Sequence, residues 1–133
     1  MSTVLADTHA VIWYIVEPDR LSRAAKEALD GAALAGDLVL ISAISLVDMA
    51  YLTDKGRLPE AVLQRLQAHL ASPTPVIAAV PLDEAIAQAV RSIPRDLVPD
   101  MPDRVIAATA LHMALPLVTR DQRIRSAEIT TVW

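Results

Sequence analysis

The stretch Leu38-Val39-Leu40-Ile41, followed at once by Ser42, decides the fold class. Four consecutive apolar residues without polar alternation fit a strand covered on both faces, as in a parallel sheet packed between helices. Working outward, Thr3-Val4-Leu5-Ala6 and Val76 to Val80 read as further strands. Leu117-Val118-Thr119 makes a fourth, and Thr130-Thr131-Val132 a short fifth. The segments between them carry helical patterns. His9 to Val16 is apolar nearly all round and stops at Glu17-Pro18-Asp19. Ser22 is placed to cap a helix reaching about Gly31, with Ala32 to Asp37 as its end and turn. Further helices are expected from Leu46 to Lys55, from Pro59 to about Ala71, from Asp83 to Ser92 and from Asp103 to Ala114. Ile93 to Pro102 holds Pro94, Pro99 and Pro102 and is expected to be irregular. Strands alternating with helices give an α/β class: one domain over residues 1–133, a mainly parallel central sheet, helices on both faces.

Composition narrows the chemistry. Of 133 residues 53% are hydrophobic, enough for a packed core, which sets disorder aside. There is no cysteine, so disulfides, thiolate zinc sites and cysteine nucleophiles are excluded. Twelve Lys and Arg against sixteen Asp and Glu leave a formal charge of −4, which argues against a broad basic face for DNA. No apolar run approaches the roughly 18 residues of a membrane span. The first strand-like segment has no basic leader before it, so no export signal and no membrane partner are expected, and the cytoplasm is the expected setting.

The acids are placed with more pattern than the rest. Asp7 directly follows the first strand, and Asp121 comes two residues after the fourth. Asp48 lies near the start of the helix after the second strand. In a parallel sheet the strand ends and the following helix starts share one edge, where ligands bind. Asp7, Asp48 and Asp121 are expected to converge there, and Asp103 joins them if the proline-rich loop delivers its helix start to that edge. Singly, each is a turn former or a helix cap. Together they would repel unless a cation neutralised them. Oxygen-only donors point to Mg2+ or Mn2+ rather than zinc. Such an ion bridges to phosphate oxygens and activates water, which points to phosphoester hydrolysis.

Four blocks carry a family resemblance. Val4-Leu5-Ala6-Asp7-Thr8-His9-Ala10-Val11-Ile12-Trp13 resembles the opening of a PIN domain of the VapC toxin type. Ile41 to Asp48, Met101 to Ala110 and Leu115 to Asp121 resemble its second, third and closing blocks, in order and at fitting spacing over essentially the whole chain. The resemblance implies a compact three-layer α/β/α sandwich. It implies a Mg2+- or Mn2+-dependent endoribonuclease, usually a homodimeric toxin of a type II toxin–antitoxin pair held in check by a VapB-like antitoxin protein. Its metal-binding acids carry over to Asp7, Asp48, Asp103 and Asp121, and a hydroxyl residue kept beside the site to Thr119. The second acid is usually Glu in this family. Asp48 is shorter by one methylene, about 1.5 Å of reach, on a scale to which Mg2+ geometry is sensitive. His9 stands where the family often has Ser or Asn, as in the toxin-like subgroup.

Other residues admit two readings each. His9 either meets a substrate phosphate or proton, or is a rim residue. Asp100 is an outer acid or a solvated loop residue. Arg104 holds a phosphate, pairs with a site acid, or does neither. Arg120, Arg123 and Arg125 form a local basic patch for RNA or a solvated turn. Trp13 and Tyr14 have too many apolar neighbours for one helix face, which suggests core plus an interface with a second copy or an inhibitor, with Tyr51 and Leu52 on the same surface. His112 is expected to face away from the acidic edge, and His69 is assigned nothing. Asp48 also motivates an alternative: a catalytically weak PIN-like module acting mainly through protein–protein binding. A phospho-acceptor receiver domain is disfavoured, because Asp7 has no acidic neighbour and Lys26 and Lys55 both come early. A dehalogenase-type phosphatase lacks its second acid in Asp7-Thr8-His9.

Overall fold

The apolar runs assemble into one five-stranded sheet. A computed structural model of the chain describes residues 2–125 and 127–133. The strands are β1 (Val4–Ala6), β2 (Val39–Ser42), β3 (Ile77–Val80), β4 (Leu117–Val118) and β5 (Thr131–Val132). They lie in the order β3-β2-β1-β4-β5, and every pair is parallel. Leu5 stands opposite Leu40 on one side and Leu117 on the other. Alternation along the strands feeds two cores. Val4, Ala6, Val39 and Ile41 pack with helices on one face, and Leu5 and Leu117 with helices on the other. Each fully buried Leu or Ile of this kind contributes about 1.5–3 kcal/mol.

The first face is covered by α1 (Thr8–Val16), α2 (Arg23–Leu34) and α4 (Glu60–Leu70). The second is covered largely by α6 (Met101–Met113), against which α5 (Glu84–Ala89) packs. The remaining long helix, α3 (Ala43–Asp54), serves both cores, with Met49 in the first and Ile44 in the second. Short 3-10 turns cover Pro18–Arg20 and Val90–Ser92, and a short α7 spans Gln122–Arg125. The α/β class with helices on both faces stands as expected, and the sheet is wholly rather than mainly parallel.

Several boundaries differ from expectation for local reasons. The third helix starts at Ala43 instead of Leu46, because the Ser42 side chain accepts the Ile44 N–H at 3.2 Å and caps it straight off the strand. The sixth starts at Met101 instead of Asp103. Pro102 falls in its first turn, where a missing N–H costs nothing. The second runs through Gly31 to Leu34, since Ala32 is fully buried and holds the extra turn on the core. The α7 turn was not expected and is pinned by buried Ile124.

Strand order reverses between β1 and β4: the chain winds outward from β1 through β2 to β3, then returns to the other side of β1. Such a switch point leaves a crevice at the carboxyl ends of the two strands, where open α/β sheets bind ligands. Asp7 and Thr119 are the first residues past those ends. Among the described residues no helix is long and apolar enough to cross a membrane.

The C-cap of α6, Ala114, is left-handed at φ 53° and ψ 45° and exposed. An alanine carries a steric cost there that glycine does not. Ala114→Gly is expected to stabilise the fold by about 0.5–1 kcal/mol, net of glycine's extra unfolded-state entropy. Urea denaturation reads this as a higher midpoint; an unchanged or lower midpoint contradicts it.

Candidate active site

Asp7 ends β1 and begins α1 at once. Its backbone is extended and its Oδ1 accepts the Ala10 N–H at 2.8 Å, so it is a true N-cap. The second oxygen is also taken: the Thr119 hydroxyl donates to Oδ2 at 2.5 Å. The same hydroxyl oxygen accepts the Asp121 N–H at 3.0 Å. Thr119 is fully buried just past β4, so one hydroxyl joins the ends of two strands and sets two acids against each other. Asp7 is therefore a helix cap, and the same side chain is tied to the strand end that leads into Asp121. Burial pushes the Asp7 carboxyl up and outweighs the bonds from Thr119 and Ala10 and the nearby His9, with Asp121 adding to the rise.

Asp103 is on the first turn of α6. Its carboxyl is pushed up to about 6, first by burial, then by the charges of Asp121, Asp100 and Asp7, while Arg123 pulls it back. The proline-rich loop therefore does bring this helix start to the switch-point edge. Asp7, Asp103 and Asp121 line one cleft of about 270 Å³ with His9, Trp13, Arg120 and Trp133. Among the described residues no three acidic or histidine side chains are drawn tightly enough together to hold a metal ion as they stand. Even so, oxygen-only donors on one cleft, with neighbouring acids pushing the Asp103 carboxyl up, suit a hard divalent cation.

Asp48 stands apart. It is half-buried on α3 and is not among the residues lining the cleft. One turn earlier on the same face, Ser45 accepts the Thr8 hydroxyl at 3.0 Å in a fully buried bond. That bond fixes the first turn of α3 against the start of α1, so Asp48 sits one turn along α3 from the residue bonded to Thr8, the neighbour of Asp7.

The other sequence candidates separate clearly. Arg104 neither holds a site acid nor points into the cleft. Its Nη2 donates to the carbonyls of Val90 and Ile93 at 3.1 and 3.0 Å, and its Nε is buried without a partner. It anchors the start of α6, which carries Asp103, to the turn after α5. Asp100 occupies the N-cap position of α6 without a side-chain cap bond and comes 3.8 Å from the Arg123 guanidinium. Arg123 also bonds both oxygens of Asp121 at 3.4 Å. The expected patch of Arg120, Arg123 and Arg125 is thus divided, with Arg123 spent on the acids. His9 is exposed at the rim, 5.7 Å from the Trp13 ring. His112 is exposed near the far end of α6, and His69 is exposed on α4. Trp13 is core and cleft wall at once, only 5% exposed. Sequence reasoning missed Trp133, whose ring lies 5.9 Å from that of Trp13, and Arg20, which lies over it. Nothing in the sequence joined either residue to Trp13, because the meeting is made by tertiary packing.

The PIN domain family matches residues 4–129. Across 141 aligned positions covering all of both proteins, the chain is 34% identical to Ribonuclease VapC22 of Mycobacterium tuberculosis. Among solved structures, it resembles a chain of VapBC2 from Rickettsia felis bound to a promoter DNA fragment, with TM-score 0.72, 16% identity, and 97% of this chain and 96% of that one covered. That likeness speaks for the fold alone. It also resembles a chain of FitAcB from Neisseria gonorrhoeae at TM-score 0.58 and 25% identity, over 96% of this chain and 95% of that one.

The raised Asp103 pKa gives a pH-dependent stability. A carboxyl that holds its proton more tightly folded than unfolded stabilises the fold fully below its unfolded value of 3.8, and that contribution is lost as pH rises through about 6. Metal-free protein is expected to lose stability over this window, and Asp103→Asn to flatten the loss. Thermal melts in chelator from pH 4 to 8 test it; parallel pH profiles for the two proteins contradict it.

Proposed function

The chain belongs to the PIN domain family, and from that premise we propose that it is a VapC-type endoribonuclease, dependent on Mg2+ or Mn2+, acting as the toxin of a toxin–antitoxin pair. The observation that carries this reading is the cleft at the β1/β4 switch point, lined by Asp7, Asp103 and Asp121, where burial and the neighbouring acids push the Asp103 carboxyl up to about 6 and burial pushes Asp7 up. The full-length likeness to Ribonuclease VapC22 supports the chemistry.

Asp7, Asp103 and Asp121 are the residues assigned to hold the ion, with Asp48 completing the set or accepting a proton from water. Bound there, a divalent ion supplies charge stabilisation at phosphorus and a more acidic water. The protein's own part is orientation. Thr119 and the Ala10 N–H hold the two Asp7 oxygens, and the Asp121 backbone is fixed through the same hydroxyl. Arg123 restrains the Asp121 carboxylate, and Arg104 fixes the helix start behind Asp103. Asp100, at 67% side-chain exposure, acts from outside through Arg123. His9, exposed at the rim, is the residue assigned to meet the substrate.

An antitoxin protein and a second copy of the chain are the proposed partners; the likeness to solved chains of VapBC2 and FitAcB supports the first. Val47 and Tyr51, four residues apart on α3, are 51% and 62% exposed and form an apolar stripe suited to one of these contacts. A second reading, a catalytically weak binding module, is favoured by the shorter Asp48 standing outside the cleft lining.

Cleavage of a mixed RNA pool under Mg2+ or Mn2+ titration tests the proposal. Asp7→Asn and Asp103→Asn are each expected to lose about a hundredfold or more in rate. Intact cleavage in both variants refutes the assignment. Activity that emerges only in Asp48→Glu supports the binding module instead.

A further inference from the structure

Trp13 stands where two concavities meet. It forms part of the acidic cleft and also lines a larger groove of about 770 Å³ between α1, the Pro18–Arg20 turn and the start of α4. Two guanidiniums lie over its ring, Arg20 at 4.4 Å and Arg120 at 4.9 Å from the centroid. The sum of those distances caps the separation of the two charges at about 9.3 Å. An electron-rich indole attracts each cation, but it leaves their mutual repulsion in place. Arg57 lines the same groove, where Glu17 is the one carboxylate among the lining residues. Among the described residues no carboxylate lies within ion-pairing distance of Arg20, Arg57 or Arg120. A chain of formal charge −4 thus leaves three arginines without acid partners along one groove. Arg120 lines both groove and cleft.

We propose that Arg20 and Arg120, held on Trp13, grip the phosphodiester backbone of a single RNA strand beside the point of cleavage, so that the strand leaves the acidic cleft along the α1–α4 groove. The proposal rests on the ribonuclease reading and adds a path and a handle for its substrate. A phosphodiester chain fits better than an acidic peptide because Arg120 is common to both concavities, so one continuous backbone runs from the guanidiniums of the groove to the divalent ion that the acids would hold. The indole is covered, 5% exposed, and is not free to stack on a base. Recognition here is therefore of phosphate and indifferent to sequence, with tryptophan as the platform and arginine as the contact.

Fluorescence anisotropy of a labelled 2′-O-methyl oligoribonucleotide in chelator reads this handle without cleavage. Arg20→Gln and Arg120→Gln are each expected to weaken binding about fivefold and to reduce the slope of log affinity against log salt by about 0.7, the loss of one single-strand phosphate contact. Trp13→Phe, checked for folding by circular dichroism, is expected to weaken binding by a smaller factor. Arg23→Gln, on α2 and outside both concavities, serves as the equal-charge control and is expected to match the unmodified chain. In cleavage of a long RNA, the Arg20→Gln loss is expected in KM rather than kcat. Equal affinities and slopes for the arginine variants and the control overturn the proposal, as does tighter binding of poly-glutamate than of the RNA. Failure of the ribonuclease reading is seen separately, as no metal-dependent cleavage by the unmodified chain.

Discussion

One hydroxyl ties the candidate site together. Thr119 donates to Asp7 and accepts from the Asp121 backbone, and it does so from full burial at the point where strand order reverses. β1 and β4 are paired by only two residues of β4, yet the acids that follow them are held in a fixed relation. The Asp7 N–H donates to the Val118 carbonyl at 3.1 Å, and the Thr119 N–H to that of Val132 at 3.1 Å, so the backbone on both sides of the hydroxyl is paired as well. A buried bond of this kind is expensive to leave half made. The site is thus built on the sheet rather than on loops, the more exact of the two foundations.

Electrostatics then divides the charged residues into two populations. The acids gather at the switch point, where Asp7 and Asp103 hold protons more tightly than usual, with Arg123 as the local counter-charge. Arg20, Arg57 and Arg120 line the neighbouring groove without acid partners among the described residues. Net charge alone conceals this arrangement, because the acidic cleft and the basic groove adjoin and share His9, Trp13 and Arg120. A phosphodiester is a ligand for which both halves make sense: a divalent ion among the acids for the reacting group, guanidiniums for its neighbours.

Much of this was legible in the residues. Continuous apolar runs marked the parallel strands, and an Asp placed directly after Ala6 or two residues after Thr119 marked the edge, because strand ends and helix starts share it. The approach of Asp103 to the edge was not legible, since it depends on how a proline-rich loop turns. Arg104 was unreadable for a related reason: its partners are backbone carbonyls of Val90 and Ile93, and carbonyls leave no trace in side-chain chemistry. Arg20 and Arg57 were missed because their neighbourhood with Trp13 is made by packing of α1 on α4. Arg123 was read with a basic patch because sequence shows adjacency and not the pull of Asp100 and Asp121. Helix starts at Ala43 and Met101 slipped by two or three residues where a serine cap and a first-turn proline decide them.

The central claim is that the acids at the switch point take up a divalent ion that displaces the proton Asp103 holds near pH 6. Calorimetric titration of Mn2+ into metal-free protein tests this most directly, at pH 6 and at pH 8 in buffers of differing ionisation heat. The account requires saturable uptake lost in Asp7→Asn and Asp103→Asn, with proton release at pH 6 that fades at pH 8, as an Asp103 carboxyl near 6 demands. Absence of uptake, or uptake that is the same in both variants, contradicts it.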